Sequence, residues 1–367
     1  MAHPAYRVRL FLSADLVGST AFKAGDGQSV KSEGLHPIWV EEVKGFYRAF
    51  PAKYSKIFKE SRLSGDENFQ QYDAPRVWKT IGDEIITTCR VQDLNHLSYC
   101  VNAFIHALDS YSEDLRAKNV KLDIKGCGWL AAFPSPNVTI FEKSDGPDET
   151  ELYDESRERL ADLDPRSHDF LGPEIDSGFR ISKFSESNQF SMSAGLALCL
   201  CDAAYHSLFR HPFAYHGRHL LKGVANSNAY PIVTLDVERD AVNREVRNYE
   251  KAVTRESDVV PLHLANFIKS FMKREKLNIP VLRNRNEATS DADLPNCFKE
   301  HRGRWNAEFE TLERMKKTAE EAANQEGPGT DDNLKEITEG INQSTGEAVD
   351  KELRSVAIPL PSTPENS

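Results

Sequence analysis

FLSADLVGST, residues 11–20, is the stretch on which the reading of this chain turns. The apolar run RVRLFLSADLV (7–17) has the β-branched and aromatic content of a strand. It breaks at one carboxylate, Asp15, and falls at once into Gly18-Ser19-Thr20. A carboxylate inside such a run is costly to bury unless something pairs with it. A metal ion would do so, and a turn of small residues behind it would let backbone N–H groups approach an anion. The stretch therefore reads either as a metal–phosphate site or as an ordinary strand end.

The bulk numbers narrow the choice. The 367 residues are 39% hydrophobic and 9% aromatic, enough for a folded core in one large domain with an appendage or in two modest domains. Formal charge is -11, from 46 Lys and Arg against 57 Asp and Glu. That balance argues against a general nucleic-acid or anionic-membrane binder, but leaves room for a local basic pocket around one nucleotide. The six cysteines, Cys89, Cys100, Cys127, Cys199, Cys201 and Cys297, form no C-x-x-C pair and read as buried, reduced thiols. MAHPAYRVRL lacks the apolar core of a signal peptide, and no stretch approaches the roughly 20 apolar residues of a membrane span. The expectation is a cytoplasmic protein with no membrane partner.

Working outward, residues 36–60 carry an aromatic stripe at helical spacing, which Pro51 is expected to kink or end. VWKTIGDEIITTCRV (77–91) and VKLDIKGCGWLAAF (120–133) both read as strand–turn–strand, the first around Gly82-Asp83. Between them, 94–118 is a strongly periodic helix. Residues 142–168 are polar and acidic and read as a loop or insertion. Helices follow over roughly 173–185 and 194–205, and 216–237 reads as a strand pair closing a sheet. The first 236 residues thus read as one mixed α/β domain. Two amphipathic helices and a charged one make a helical extension over 237–324, and 325–367 is an acidic, polar tail expected to be flexible.

Four blocks carry chemistry. Asp15 precedes Gly18-Ser19-Thr20. Lys79-Thr80-Ile81-Gly82-Asp83 places a second aspartate at a tight turn between apolar strands. Two oxygen ligands from neighbouring strand ends suit Mg²⁺ or Mn²⁺, although each aspartate alone also reads as a turn residue or cap. In HDFLGPEIDSGFR (168–180), Asp169 precedes a Gly-Pro helix start, and Asp176 and Arg180 stand i, i+4 on one face. Leu221-Lys222-Gly223 wedges a lysine into an apolar strand.

Together, in this order, the blocks resemble the class III nucleotidyl cyclases, whose patterns are F-x-D-hydrophobic-x-G-[ST]-T, K-x-x-G-D, D-x-x-G-x-x-x-N-x-x-x-R and K-G. The resemblance covers about 220 residues. It implies a ferredoxin-like α/β (α+β) domain acting as a homodimer, with active sites at the interface. It also implies two divalent metal ions (Mn²⁺ or Mg²⁺) at Asp15, Leu16 and Asp83 of one subunit. Val17, Gly18, Ser19 and Thr20 would cradle phosphates. The partner would supply the ribose-facing Asp176, the transition-state Arg180 and the phosphate-facing Lys222. Lys79 and Asp169 occupy the base-reading positions.

The chain departs from the ordinary family in two places. Asp176 stands where the ribose-orienting asparagine is usual; a carboxylate accepts hydrogen bonds and donates none unless protonated, so ribose positioning differs or the carboxylate salt-bridges to Arg180. The usual R-[IV]-G-[IV]-H-x-G strand is replaced by LDIKGCGWLAAFPSPNVTIFE (122–142). That segment looks like the Pycsar pyrimidine cyclases of bacterial antiphage defence, as does the aromatic helix WVEEVKGFYRAF. The implied reaction converts UTP to cyclic UMP, with CTP as the alternative substrate, and the product acts on a separately encoded effector. Phe46, Tyr47 and Phe50 are candidates to stack on the smaller base, Phe50 foremost, or are plain core. Trp129 and Phe133 read as core or dimer contact, and Arg166 as a triphosphate contact or a solvated loop residue. Two other readings stay open: a conventional adenylate cyclase, favoured by the Lys79 and Asp169 pair, and an inactive cyclase fold that senses a nucleotide.

Overall fold

The structure is a computed structural model and describes residues 1–30, 35–61, 72–141, 152–254 and 258–325. Its centre is β1 (Arg7–Val17), which pairs antiparallel with β3 (Glu84–Val91) on one side and β4 (Asp123–Phe133) on the other. β1 is flanked on both edges and covered on both faces, and one of its faces is wholly apolar. Its even-numbered residues Leu10, Leu12, Ala14 and Leu16 enter the larger core, against α2 (Ile38–Ser61) and α3 (Leu94–Ala117). Phe11 enters a smaller core on the opposite face, with Trp78, Trp129 and Phe170.

With β2 (Arg76–Ile81) the sheet runs β2-β3-β1-β4. The chain order β1-α2-β2-β3-α3-β4 with these antiparallel neighbours is the ferredoxin-like arrangement, two interlocked split βαβ units. A short α1 (Ser19–Ala24) lies between β1 and α2. Beyond β4 the sheet continues through β7 (Gln189–Met192), β9 (Ala229–Asp236) and β8 (Phe213–Leu220). A separate ribbon pairs β5 (Val138–Phe141) with β6 (His168–Leu171). Helices α4 (Glu155–Leu163), α5 (Pro173–Ile181) and α6 (Ala194–Tyr205) complete the mixed α/β fold.

Four expectations are corrected. First, 120–133 is not strand–turn–strand, because β4 is one continuous strand. Its glycines make room rather than turn the chain. A Cβ on Gly126 would lie 2.6 Å from Leu108, and one on Gly128 would lie 2.9 Å from Leu12, Leu196 and Phe190. Second, α2 continues through Pro51. Proline removes one hydrogen bond and crowds the preceding turn, but Phe46, Phe50, Tyr54 and Phe58 recur every fourth residue as a buried ridge, and α2 packs along α3. Third, part of 142–168 is helix. Residues 142–151 lie outside the described residues, while α4 supplies Glu155, Glu158 and Asp162 to the buried guanidinium groups of Arg7 and Arg9. Buried charge requires such partners. Fourth, no break falls at Asp236.

Met1–Asn306 form one compact unit, in which α8 (Pro261–Arg274) packs on α6. The two amphipathic helices expected after Asp236 are α7 (Ala241–Thr254) and α8. The charged helix is α9 (Asn296–Gln325), whose later part belongs to a second unit, Ala307–Ser367. Apart from Gln325, the tail lies outside the described residues. No described helix is long and apolar enough to cross a membrane.

The helix α5 is tied to β4 through Glu174, which is half-buried. Its Oε2 accepts from the Ala132 N–H and from Asn137 Nδ2, both at 2.7 Å, and its Oε1 accepts from Asn278 Nδ2 at 2.9 Å. Burial outweighs these donors and pushes the carboxyl up to about 7. In the unfolded chain it keeps the ordinary value of 4.5. Between the two values the folded state holds a proton that the unfolded state has released. The stabilising contribution is full below the unfolded value and lost as pH rises through the folded one. Melting temperature is expected to fall between about pH 5 and pH 7.5 relative to Glu174→Gln, by an amount on the order of a few kcal/mol in stability. Parallel melting profiles for the two proteins would refute this assignment.

Candidate active site

Asp15 sits two residues before the end of β1, opposite Glu84 in the register. Asp83 follows Gly82 in the β2–β3 turn, where Gly82 takes φ +64, a conformation that favours glycine. The Leu16 N–H donates to the Asp83 carbonyl at 3.3 Å, which fixes this turn against the end of β1. Asp83 accepts from Ser19 Oγ and lies 3.6 Å from Lys23 Nζ. Lys125 Nζ, from the neighbouring strand, lies 3.3 Å from the Asp15 carboxylate. Burial raises the Asp15 pKa; Lys125 opposes the shift and the like charge of Asp83 adds to it. Glu84 is raised as well, chiefly by burial, while it accepts from Ser13 Oγ.

Behind Asp15, Gly18 adopts φ +83 as the N-cap of α1, and no side chain caps that end among the described residues. A Cβ on Gly18 would lie 3.2 Å from the Lys121 carbonyl. Asp15, the segment from Leu16 to Ala21, and Asp83 line a polar cleft of about 910 Å³. Arg116, Lys125, Asn188 and Arg239 face the same cleft. Arg239 is engaged with Asp109 at 2.9 Å and Asp123 at 3.1 Å. Two half-buried carboxylates whose oxygens meet in a polar cleft fit a hard divalent ion such as Mg²⁺ or Mn²⁺. Neither histidine nor cysteine lines this cleft among the described residues.

The other expected site residues are distributed differently. Lys79 on β2 and Asp169 on β6 are brought together, with Nζ 2.8 Å from the carboxylate. Asp176 and Arg180 share the exposed side of α5, and among the described residues no salt bridge joins them. Lys222 is exposed in the β8–β9 turn, beside Gly223 at φ +76. None of these five lines the cleft of Asp15. Strand β8 is four places from β1, a lateral separation of roughly 19 Å. The turn also lies at the opposite end of the sheet, since β9 pairs with β7 through Asp236 and Gln189 but meets the turn at Ala229. Lys222 therefore cannot reach Asp15 of its own chain.

Phe50 and Phe46 are corrected: both are 0% exposed and pack with Tyr111 between α2 and α3, so neither ring has a face to offer a base. Tyr47 remains half-buried and donates its hydroxyl to the Gly82 carbonyl, at the turn that carries Asp83. Trp129 and Phe133 are core residues, Trp129 stacked on Phe11 with ring centroids 5.5 Å apart. Arg166 is exposed. Sequence reasoning missed Lys125, Arg116 and Arg239. Lys125 had a usable signal, a lysine in an apolar strand like Lys222. The two arginines sit in polar helix and loop sequence and had none.

No family model matches the chain, and no curated protein does. Solved structures that it resembles include the adenylyl cyclase CyaB from P. aeruginosa (14% identity, TM-score 0.42, over 64% of this chain and 97% of that chain). The guanylyl cyclase Cya2 matches at 13% identity and TM-score 0.39, over 64% of this chain and 93% of that one. The guanylate cyclase domain of RhGC from Catenaria anguillulae, in complex with GTP, matches at 11% and 0.38, over 64% and 100%. Likenesses this slight do not establish the activity of this chain, which has to be argued from its own residues.

Close packing sets where Asp176 and Arg180 stand. Gly178, between them on α5, lies against Trp129 so tightly that a Cβ would come within 2.2 Å of the indole. Gly178→Ala is expected to cost ~1–3 kcal/mol of stability through overpacking. It should also displace the face that carries Arg180. Chemical denaturation measures the first effect, and a variant as stable as wild type would show that α5 is not held this way.

Proposed function

We propose that this protein is a class III nucleotidyl cyclase. It would convert a pyrimidine nucleoside triphosphate, UTP ahead of CTP, to the 3′,5′-cyclic monophosphate and pyrophosphate. The observation that carries the reading is the pairing of Asp15 and Asp83 at the mouth of a polar cleft, directly before the uncapped start of α1. Two divalent ions (Mn²⁺ or Mg²⁺) bound by Asp15, Leu16 and Asp83 would supply Lewis acidity to the 3′-hydroxyl and the phosphates. Backbone N–H groups from Val17 to Thr20 hold the triphosphate. Lys125 and Lys23 keep the carboxylates neutralised until substrate arrives. Arg180 meets charge that develops on the α-phosphoryl oxygens. Asp176 accepts from a ribose hydroxyl, and Lys222 contacts phosphate.

Because Lys222 cannot reach Asp15 within one chain, the complete site in this reading forms between two copies. Exposed apolar side chains on β2, β5 and β6, namely Ile81, Val138, Ile140 and Leu171, offer surface for that contact. Lys79 and Asp169 present one donor and one acceptor to the base, as a pyrimidine edge requires. Tyr47, which bonds the turn carrying Asp83, replaces Phe50 as the ring offered to the base. The antiphage role, with a cytoplasmic cyclic nucleotide switching on a separate effector, rests on the sequence resemblance.

The test is incubation of purified protein with Mn²⁺ and each of ATP, GTP, CTP and UTP in turn, with products identified by mass spectrometry. Cyclic UMP is the expected product. Cyclic CMP would exchange the base and keep the class, cyclic AMP would restore the adenylate cyclase reading, and no product from any nucleotide would overturn catalysis. Asp83→Ala should abolish turnover, and Arg180→Ala should lower kcat ~10²–10³-fold. A mixture of the two variants should regain activity, because one hybrid site then holds every group.

A further inference from the structure

Three ligand-type side chains meet far from the cleft. Cys89 lies near the end of β3, and His96 and Cys100 lie one turn apart on α3, with all three buried. Their candidate ligand atoms lie within 4.8 Å of one another. The two sulfurs are 3.8 Å apart. A tetrahedral zinc ion with Zn–S bonds of about 2.3 Å sets its two sulfurs about 3.8 Å apart as well. A disulfide would need them at about 2.05 Å.

The histidine is oriented as a ligand. Its Nε2 lies 2.9 Å from the Asp73 carbonyl, which can only accept, so Nε2 carries the proton. Nδ1 is then the nitrogen with the lone pair, and it receives the Gln92 N–H over 3.3 Å. A histidine whose second nitrogen donates to a backbone carbonyl is the usual supporting arrangement at metal sites. The ring is clamped by Tyr72, stacked at 4.5 Å with an 8° interplanar angle, and Tyr72 in turn bonds Asp93, the N-cap of α3. The element carrying Cys89 is held in the sheet, where Cys89 pairs with Leu10.

We propose that Cys89, His96 and Cys100 bind a zinc ion. Two thiolates and a neutral imidazole around Zn²⁺ sum to zero charge, the state that burial tolerates best. Each thiol releases its proton to solvent on binding, and no redox change is involved. A cleft of about 860 Å³ bordered by Cys89, Tyr72 and Asp93 gives the ion a way in and leaves a fourth ligand to water. The weak Gln92 contact is the interaction that the ion displaces. The site is separate from Asp15, which lies five residues from Leu10 along β1, roughly 17 Å away. Its effect would be to fasten the start of α3 to β3.

The experiment uses full-length protein produced with zinc in the medium and purified without chelator. Metal analysis should find about one zinc per chain. Cys89→Ser with Cys100→Ser should fall to background, while Asp15→Ala with Asp83→Ala should keep the zinc. Wild-type protein reloaded with Co²⁺ should show thiolate-to-cobalt charge-transfer absorption, a readout that needs no variant to fold. Zinc-free protein without that absorption would overturn the proposal. So would zinc retained by the double serine variant, or a Cys89–Cys100 disulfide in freshly purified protein.

Discussion

Strand β1 buries charge at both ends of one face, and the molecule is arranged around satisfying it. Arg7, Arg9, Phe11, Ser13 and Asp15 alternate onto the same side of the sheet. At the first end the debt is settled within the chain, where α4 brings Glu155, Glu158 and Asp162 to the two guanidinium groups, and Arg9 also lies 4.6 Å over the ring of Phe133. At the second end it is not. Asp15, Asp83 and Glu84 gather three carboxylates, against the two amines of Lys125 and Lys23. Half-buried like charges of this kind attract cations. That imbalance gives the cleft its chemical character.

The positions of the remaining groups follow from how closely helices approach the sheet. Gly126 and Gly128 let Leu108 and Leu196 sit almost on the backbone of β4, and Gly178 lets α5 lie on Trp129. Such contacts leave little freedom for sliding, because interiors are packed as densely as organic crystals. Lys125 is consequently fixed beside Asp15, while Arg180 and Asp176 face outward.

Much of this was legible in the sequence where a strong period met a clear boundary. Strand β1, the β2–β3 turn, α3 and α6 fall where apolar spacing and turn residues put them. The ferredoxin-like order came from the resemblance to nucleotidyl cyclases, since apolar spacing alone reaches only a mixed α/β pattern. Asp15 and Asp83, each readable alone as a turn residue or cap, stood out because four motif blocks followed in one order. What escaped depended on partners distant in sequence. Helix α4 read as a loop because its buried acids answer arginines about 150 residues earlier. Gly126 and Gly128 read as a turn because a glycine's need for space depends on helices not yet placed. Phe50 read as a base contact because a helical stripe does not say which side faces a core. Cys89, His96 and Cys100 have no familiar spacing, since one comes from a strand and two from a helix.

In the proposed function, the ion pair of Lys79 with Asp169 bears on selectivity. The two groups engage each other at 2.8 Å, so in that reading a base enters by substituting for each partner in the other's bonding. Recognition then works by exchange. A guest edge that answers one side chain and not the other strands a charge and is expelled, even if it fits by shape. Uracil and cytosine both carry a donor beside an acceptor, in opposite order. Discrimination between them would accordingly reside in the direction in which this one bridge is opened, more than in the width of the pocket around it.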